Sequence, residues 1–167
     1  VTPQDMLDDH GSDAVRYWAA SSRLGTDAAF DPKDPKTIKI GRRLAIKVLN
    51  AAKFAYSFPG EGGAVSEALD IDMLHNLASV IDQATEAYEK FDHARALELA
   101  ETFFWSFTDD YLELVKERAY RDATDPGQQS TVTALRLALD AMLRLFAPVL
   151  PFATEEVWSW THDGSIH

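Results

Sequence analysis

The chain has 167 residues, 46% of them hydrophobic, which is enough for one domain with a buried core. It contains no cysteine, which excludes disulfides and thiolate metal sites, and its apolar runs fall short of the roughly 20 residues of a membrane span. No signal segment opens the chain, so we expect a globular cytoplasmic protein, and the start at Val1 suggests a piece excised from a longer one.

The first predicted helix is short. Thr2 is its expected N-cap and Pro3 its first residue, and Gly11 is expected to end it after His10. Ser12 is the expected cap of a second short helix. One face of that second helix carries Val15, Trp18 and Ala19.

A loop and then longer helices follow. Residues 25–35 predict a loop, because FDPKDPK contains two prolines, and PGEGG at residues 59–63 is the clearest break in the chain. Beyond this break, apolar residues recur at spacings of three and four, which is typical of helices packed on one side. The three apolar stripes are Leu74, Leu77, Ile81, Ala84 and Tyr88; Leu97, Ala100, Phe104, Phe107, Tyr111 and Leu114; and Val132, Leu135, Leu139, Met142 and Phe146.

These patterns predict an all-α fold. With the helix that precedes PGEGG there are four long helices with short connections, which favours an antiparallel helical bundle over residues 36–167. Residues 1–35, with two short helices and a loop, precede this bundle. No sustained period-two alternation predicts a strand, and Trp158 and Trp160 are expected to pack at the end of the bundle after Pro151 stops the preceding helix.

One helix carries most of the positive charge. The chain has a formal net charge of −11, yet the segment from Lys33 to Lys53 holds seven basic residues and the single acid Asp34. Its basic side chains fall on one stripe with an amide and an aromatic residue, beside a separate apolar stripe. The first stripe is Lys36, Lys39, Arg43, Lys47, Asn50 and Phe54, and the apolar stripe is Ile40, Leu44, Val48, Ala51, Ala55 and Phe58.

The helical wheel leaves two interpretations of the basic stripe open. The cations could be a solvated face, or pair with carboxylates of neighbouring helices, and Phe54 could be a core residue. Alternatively the stripe meets a polyanion that the rest of the acidic surface repels. Phe54 and Asn50 suit an unpaired RNA base, since cations hold phosphate, a ring stacks on the base and an amide reads its edge.

Four motifs in order resemble class I aminoacyl-tRNA synthetases of the valine, isoleucine, leucine and methionine group. HGSDAVRYW resembles the Gly-x-Asp-Ala-x-Arg helix that follows the signature lysine loop of that family, and GRRLAIKVLNAAKF resembles its R-N-F-x-N-K-L-x-N-A-x-[RK]-F helix. FTDDYLELVK is similar to F-x-D-W-Y-[IL]-E-x-x-K, and FAPVLPFATEEVW to H-P-x-x-P-F-x-T-E-E-[LI]-W. Together with the loop LGTDAAFDP, these motifs are most similar to the valine-specific members.

The chain departs from the family pattern at several positions. Asp110 stands where the family usually has Trp, and Ala147 stands where it has His. Because Asp110 lies beside Asp109 and near Glu113, we expect this acidic helix end to face solvent or the basic helix rather than RNA. The other departures are Arg43, Leu44 and Ile46 in the basic helix.

The resemblance implies tRNA recognition. By this resemblance, the intact ligase has a catalytic domain that uses ATP, with Mg, to join valine to its tRNA. Residues 1–35 would be the short helical linker that follows that domain, and the bundle of residues 36–167 would bind the anticodon side. No cofactor is expected in this chain, which has no glycine-rich phosphate loop. Its five histidines are scattered, with no two at i, i+4, so no metal site is expected. The expected partners are tRNA for valine and the catalytic domain of the same chain, with no membrane and no DNA.

The resemblance and the wheel together give the candidate RNA-binding residues. Phe54 would stack on an anticodon base, Asn50 and Lys53 would contact its edge or flanking phosphates, and the backbone would be held by Lys39, Arg43 and Lys47. Weaker candidates are Arg16, expected to pair with Asp13 instead, and Lys116 and Arg118. Two alternatives remain: the same domain of an isoleucine-specific enzyme, and a non-catalytic acidic helical module that binds proteins.

Overall fold

A computed structural model describes residues 3–28, 31 and 33–167 of the chain. These residues form helices and turns, with no β-strand among them. No helix in this described part has the length and apolar character needed to cross a membrane. The helices are α1 (Pro3–His10), α2 (Ser12–Ser21), α3 (Lys36–Tyr56), α4 (Ala68–Glu89), α5 (His93–Ser106), α6 (Leu112–Ala119), α7 (Pro126–Phe146) and α8 (Pro151–Trp158), with a π turn (Phe107–Tyr111) joining α5 to α6.

The long helices pack as a bundle. Helices α4 and α5, joined by residues 90–92, run antiparallel, and so do α6 and α7, joined by residues 120–125. Helix α3 lies beside α5, the π turn and α6 in the same direction, because the contacts between them ascend together in residue number. The contacting pairs are Arg43 with Trp105, Lys47 with Asp109, and Phe54 with Tyr120. The prediction of an all-α helical bundle is confirmed.

Helix α7 lies at the centre of the core. Its first turn is capped by Asp125, whose carboxylate accepts a hydrogen bond from the Gln128 backbone N–H at 2.9 Å. All five residues of the predicted stripe on this helix are buried to within 1% of full burial. Each large apolar side chain buried in this way contributes about 1.5–3 kcal/mol, so α7 is the main apolar support of the bundle.

The π turn moves the apolar stripe of the third long helical segment. Up to Tyr111 the predicted stripe is buried or nearly so, but Leu114 is 68% exposed, and the prediction for this residue is wrong. A π turn inserts one extra residue relative to an α-helix, so every later residue is displaced along the stripe by one position. The buried residues beyond the turn are accordingly Leu112, Val115 and Ala119.

The connection between α1 and α2 differs from the prediction at its cap. Helix α1 spans Pro3–His10 as expected, whereas Thr2 lies outside the described residues. Ser12 does not cap α2, because the helix begins at Ser12 itself and Gly11 is its N-cap, without a side chain that could accept a hydrogen bond. Gly11 has a φ of 84°, a left-handed conformation that glycine adopts without strain.

Asp13 stabilises a helix far along the chain. Its carboxylate accepts hydrogen bonds from the backbone N–H groups of Phe152 (3.2 Å) and Ala153 (2.7 Å), in the first turn of α8. The predicted pairing of Asp13 with Arg16 is therefore wrong: the unpaired N–H groups of a helix start take this carboxylate, and Arg16 donates to the carbonyl of Pro148 at 2.7 Å.

The start of α8 corrects a second expectation. Helix α7 already ends at Phe146, and Pro151 does not stop it but forms the first turn of α8, where its missing N–H costs nothing.

Trp158 packs as predicted and stacks on His162 with ring centroids 3.6 Å apart, whereas Trp160 remains 38% exposed.

Helix α2 buries a different face from the predicted one. Ala14 and Tyr17 are buried, whereas Ala19 is exposed and Val15 is only half-buried. The reason is the close approach of α3 at Gly41, where an added Cβ would lie 2.6 Å from the Tyr17 Cβ. Tyr17 thereby joins the core of the bundle.

The division of the chain into a linker of residues 1–35 and a bundle of residues 36–167 stays a prediction.

A buried polar network fastens α4 to α6 and α7. The Asp70 carboxylate is fully buried and accepts hydrogen bonds from Tyr111 (2.8 Å) and Ser130 (2.7 Å) and from the Arg118 guanidinium. Arg118 also donates to Thr131 at 2.6 Å. Burial, followed by the hydrogen bond to Asp70, raises the pKa of the Tyr111 hydroxyl far above its ordinary value. The network compensates the buried charge.

Replacing Arg118 with leucine should therefore destabilise the fold. Removing one partner of a buried ion pair leaves the other charge uncompensated, and we expect a loss of about 3 kcal/mol in the free energy of unfolding, measured by urea titration of the helical circular dichroism. The matched control is Lys116→Leu, whose exposed pair with Glu113 (3.5 Å) should matter by at most about 0.5 kcal/mol. Equal effects of the two substitutions would contradict the role assigned to the network.

Candidate nucleic-acid interface

Helix α3 presents its basic stripe at the surface. Lys36, Lys39 and Arg43 are exposed and Lys47 is half-buried; these four residues are called the cationic ridge below. The opposite side of α3 is buried as predicted at Leu44, Val48, Ala51, Ala55 and Phe58. Ile40 was expected in that group but is 47% exposed, because the contact of α3 with α2 turns Ile38 and Gly41 inward instead.

The first turn of the ridge is partly neutralised within the chain. The Lys39 Nζ lies 3.1 Å from the Asp34 carboxylate, and the Lys36 Nζ lies 3.8 Å from it. The hydrogen bond from Lys39 holds the pKa of the Asp34 carboxyl below its ordinary value. All three side chains are largely in solvent, where such pairs are weak and exchange readily.

The centre of the ridge lies over a tryptophan ring. The Arg43 guanidinium carbon is 5.0 Å and the Lys47 Nζ is 5.9 Å from the centroid of Trp105 on α5. A cation over an aromatic face is attracted by the ring quadrupole, which is strongest for tryptophan. Trp105 therefore supports two cations of α3 while leaving them at the surface.

Trp105 is itself held by a carboxylate. Its indole N–H donates to Glu101 Oε1 at 3.2 Å, and the Tyr17 hydroxyl donates to Glu101 Oε2 at 2.6 Å. Burial, followed by the hydrogen bond to Glu101, raises the pKa of Tyr17 far above its ordinary value, so this hydroxyl stays a donor. The ring below the ridge is thus connected to the core through Tyr17.

One carboxylate faces the ridge from the π turn. Asp109 Oδ1 lies 3.2 Å from Lys47 Nζ and 3.2 Å from the Thr108 hydroxyl. The hydrogen bond from Lys47, then that from Thr108, and the positive charge of Arg43 hold the pKa of Asp109 below its ordinary value. Asp110 is exposed and accepts a hydrogen bond from Ser106 at 3.3 Å. As expected, this acidic segment faces the basic helix and solvent.

The end of α3 carries a group of three rings, called the aromatic tip below. Phe54 packs edge-on against Phe58, with centroids 4.9 Å apart, and against Tyr120 at 6.4 Å. Phe58 is buried, Phe54 is half-buried, and Tyr120 is 65% exposed. Phe54 therefore packs against the core and keeps part of its ring accessible. It is in part the core residue and in part the accessible ring that the two interpretations of the helical wheel describe.

Asn50 and Lys53 lie between the ridge and the tip. Both side chains are exposed, and within the described part of the chain neither has a hydrogen bond or an ion pair to the protein. Their amide and ammonium groups are available to a ligand. The predicted site residues thus lie along one side of α3, with the partial charge neutralisation described above.

The weaker candidates have structural partners. Arg118 belongs to the buried network around Asp70, Lys116 pairs with Glu113, and Arg16 donates to Pro148. Among the residues that the structure describes, no group of three or more His, Asp or Glu residues is placed to hold a metal ion.

Trp105 and Tyr120 also belong to this surface, and neither was predicted from the sequence. Trp105 lies next to the core residue Phe104 in sequence, and no local signal shows that its ring faces another helix. For Tyr120 the only available signal is its place between Arg118 and Arg121 at a helix end.

Solved structures share this fold. The chain superposes with a TM-score of 0.69 on the LeuRS in the LeuRS-tRNA-LeuAMS ternary complex from Agrobacterium radiobacter K84, at 20% sequence identity, covering 99% of this chain and 20% of that one. At that identity the likeness shows the fold, a helical domain of the kind found in that enzyme.

Residues 70–167 match the family described as the anticodon-binding domain of tRNA ligase, and the chain belongs to this family. Its relatives include the valine-tRNA ligases of Leifsonia xyli subsp. xyli (65% identical), Thermobifida fusca (58%) and Salinispora arenicola (55%), each matched over all of this chain and over 19–20% of the relative. The chain thus spans about a fifth of the length of these relatives. The resemblance to valine-specific synthetases is confirmed.

The support of the ridge can be tested at Glu101. Replacing Glu101 with leucine leaves the Trp105 N–H and the Tyr17 hydroxyl without their acceptor, and we expect a loss of about 2 kcal/mol in the free energy of unfolding. Glu101→Gln should retain most of the stability, since an amide can accept from Trp105 and donate to Tyr17. Urea unfolding measures both, with the exposed Glu98→Leu as a control; similar losses for both Glu101 variants would argue against this hydrogen-bonded support.

Proposed function

We propose that the chain is the anticodon-binding part of a valine-tRNA ligase and that the cationic ridge and the aromatic tip recognise the anticodon region of tRNA for valine. The observation that carries the proposal is the arrangement of α3. Its cations lie in a row, two of them over Trp105, and the row ends at a partly accessible ring, in a chain that belongs to a family of anticodon-binding domains.

Each part of the surface has a distinct role in this proposal. Lys39, Arg43 and Lys47 hold backbone phosphates, because guanidinium and ammonium groups form charge-assisted hydrogen bonds to phosphate oxygens. Phe54 stacks on an unpaired base, with the exposed ring of Tyr120 beside it. Asn50 and Lys53 have no partners in the described protein and contact the base edge or flanking phosphates.

The charge distribution supports recognition at this helix rather than elsewhere. The chain carries a net charge of −11 although its basic segment is positive, so most of the remaining surface repels a nucleic acid. A polyanion is then steered to α3. The pairs of the ridge with Asp34 and Asp109 are largely exposed, and phosphate can replace them.

The chemistry of aminoacylation belongs to the rest of the proposed enzyme. ATP and Mg would bind its catalytic domain, which would activate valine and transfer it to the tRNA. In this chain, residues 1–35 would connect that domain to the bundle of residues 36–167. The cytoplasmic location is part of the same proposal.

The relatives named above favour the valine-specific assignment over the isoleucine-specific one and over a protein-binding module.

A triple substitution of Lys39, Arg43 and Lys47 by alanine tests the ridge. Each phosphate contact on a single strand contributes about 0.7 to the slope of log K against log salt concentration, so we expect the slope to become shallower by about 2. Fluorescence anisotropy with a labelled anticodon stem-loop of tRNA for valine measures it between low and moderate salt.

The matched control for this triple variant removes three cations from other surfaces. Lys90, Arg95 and Arg144 are each exposed and paired within the chain, with Glu86, Glu98 and Asp140. Their replacement by alanine changes the net charge equally and should leave the slope within about 0.5 of the unmodified chain. A slope that responds equally to both triple variants would remove the ridge from the proposed function.

The tip is tested by Phe54→Leu. Losing one base-stacking contact costs about 1–3 kcal/mol, and we expect stem-loop affinity to fall about tenfold or more with an unchanged salt slope, since no charge is removed. Phe152→Leu, at a phenylalanine that is 68% exposed on α8, is the matched control. Urea unfolding of both variants separates lost recognition from lost packing, and unchanged affinity of folded Phe54→Leu would contradict the stacking role.

A further inference from the structure

We infer that the space beside Arg43 and Lys47, the two cations that lie over the Trp105 ring, is a phosphodiester-binding position and that the Asp109 carboxylate occupies it in the free protein. Asp109 is then a specificity-determining residue, because an RNA strand must displace it to reach the centre of the ridge. This inference rests on the proposed function, and it adds to it a competitor that is built into the chain.

In the free protein, the anion beside the centre of the cationic ridge is the Asp109 carboxylate. Asp109 Oδ1 accepts a hydrogen bond from Lys47 Nζ at 3.2 Å, and Arg43 and Lys47 both lie over Trp105. Arg43 is close enough to act electrostatically on the Asp109 carboxyl. The carboxylate comes from the π turn (Phe107–Tyr111), whose other acid, Asp110, interacts with Ser106 instead.

The carboxylate is held loosely enough to be exchanged. The side chains of Lys47 and Asp109 are 39% and 56% exposed, and an ion pair with this exposure is screened by water and salt. Both hydrogen bonds of Asp109 converge on Oδ1, one from Lys47 and one from Thr108. Release of the carboxylate therefore breaks few contacts.

A phosphodiester suits this position better than the carboxylate. Its two unesterified oxygens share a negative charge and can meet a guanidinium and an ammonium together. Of the two cations over Trp105, only Lys47 forms a hydrogen bond with Asp109, and Arg43 has no hydrogen bond or ion pair to a described residue. An RNA that also places a base at the tip can displace Asp109, whereas an isolated phosphate gains less.

The test compares Asp109→Asn with Asp110→Asn. Both remove one negative charge from adjacent exposed residues, but Asp110 interacts with Ser106 and not with the ridge. In anisotropy titrations with the anticodon stem-loop, we expect Asp109→Asn to bind about threefold more tightly at low salt. Its salt slope should be steeper by about 0.7. Asp110→Asn should bind like the unmodified chain, and adding Lys47→Gln to Asp109→Asn should abolish the gain.

A second probe separates this inference from the proposed function. Retention of the 167-residue chain on phosphocellulose reports phosphate binding without any RNA, and Asp109→Asn should elute at higher salt than Asp110→Asn. If the stem-loop binds without dependence on the ridge, the proposed function fails, while the elution order still decides about the phosphate position. If the two asparagine variants coincide in both measurements, with circular dichroism showing both folded, Asp109 is not a competitor and the inference is overturned.

Discussion

The packing of α3 along α5 and the π turn is the constraint on which the candidate interface depends. A helix that buries its apolar side normally leaves its long cationic side chains free to move in water, and that freedom is lost when they bind. Here Trp105 lies below Arg43 and Lys47 and is fixed from the other side by Glu101. The row of charges is therefore partly ordered before any ligand arrives, so less conformational entropy remains to be lost on binding.

The same packing reconciles the two interpretations that the helical wheel left open. The basic stripe is both an internal electrostatic contact, through Asp34 and Asp109, and a surface that a polyanion can reach. Because these carboxylates are exposed, they weaken the positive field without removing it. Phe54 shows the same double character at the tip, because it packs against the core and remains partly accessible.

The sequence predicted the features that depend only on neighbouring residues in the chain. The stripe of α7 and the break at residues 59–63 were readable because a straight helix repeats every 3.6 residues and glycine and proline interrupt it. Leu114 was misplaced because the π turn changes the phase, and FTDDY carries no clear signal of it. The partners of Asp13, Arg16 and Lys47 lie 62 to 140 residues away, so only the packed chain shows them.

The bond from Asp13 to the start of α8 has a consequence for how this protein is subdivided. The linker segment contributes a carboxylate that accepts hydrogen bonds from backbone N–H groups in the first turn of the last helix, which have no partner within that helix. A boundary drawn at residue 35 would leave that helix without its cap and would remove Tyr17, which packs against α3 at Gly41, from the core of the bundle. Helices α2 and α8 are thus joined directly, so displacement of α2 also removes a cap from the last helix.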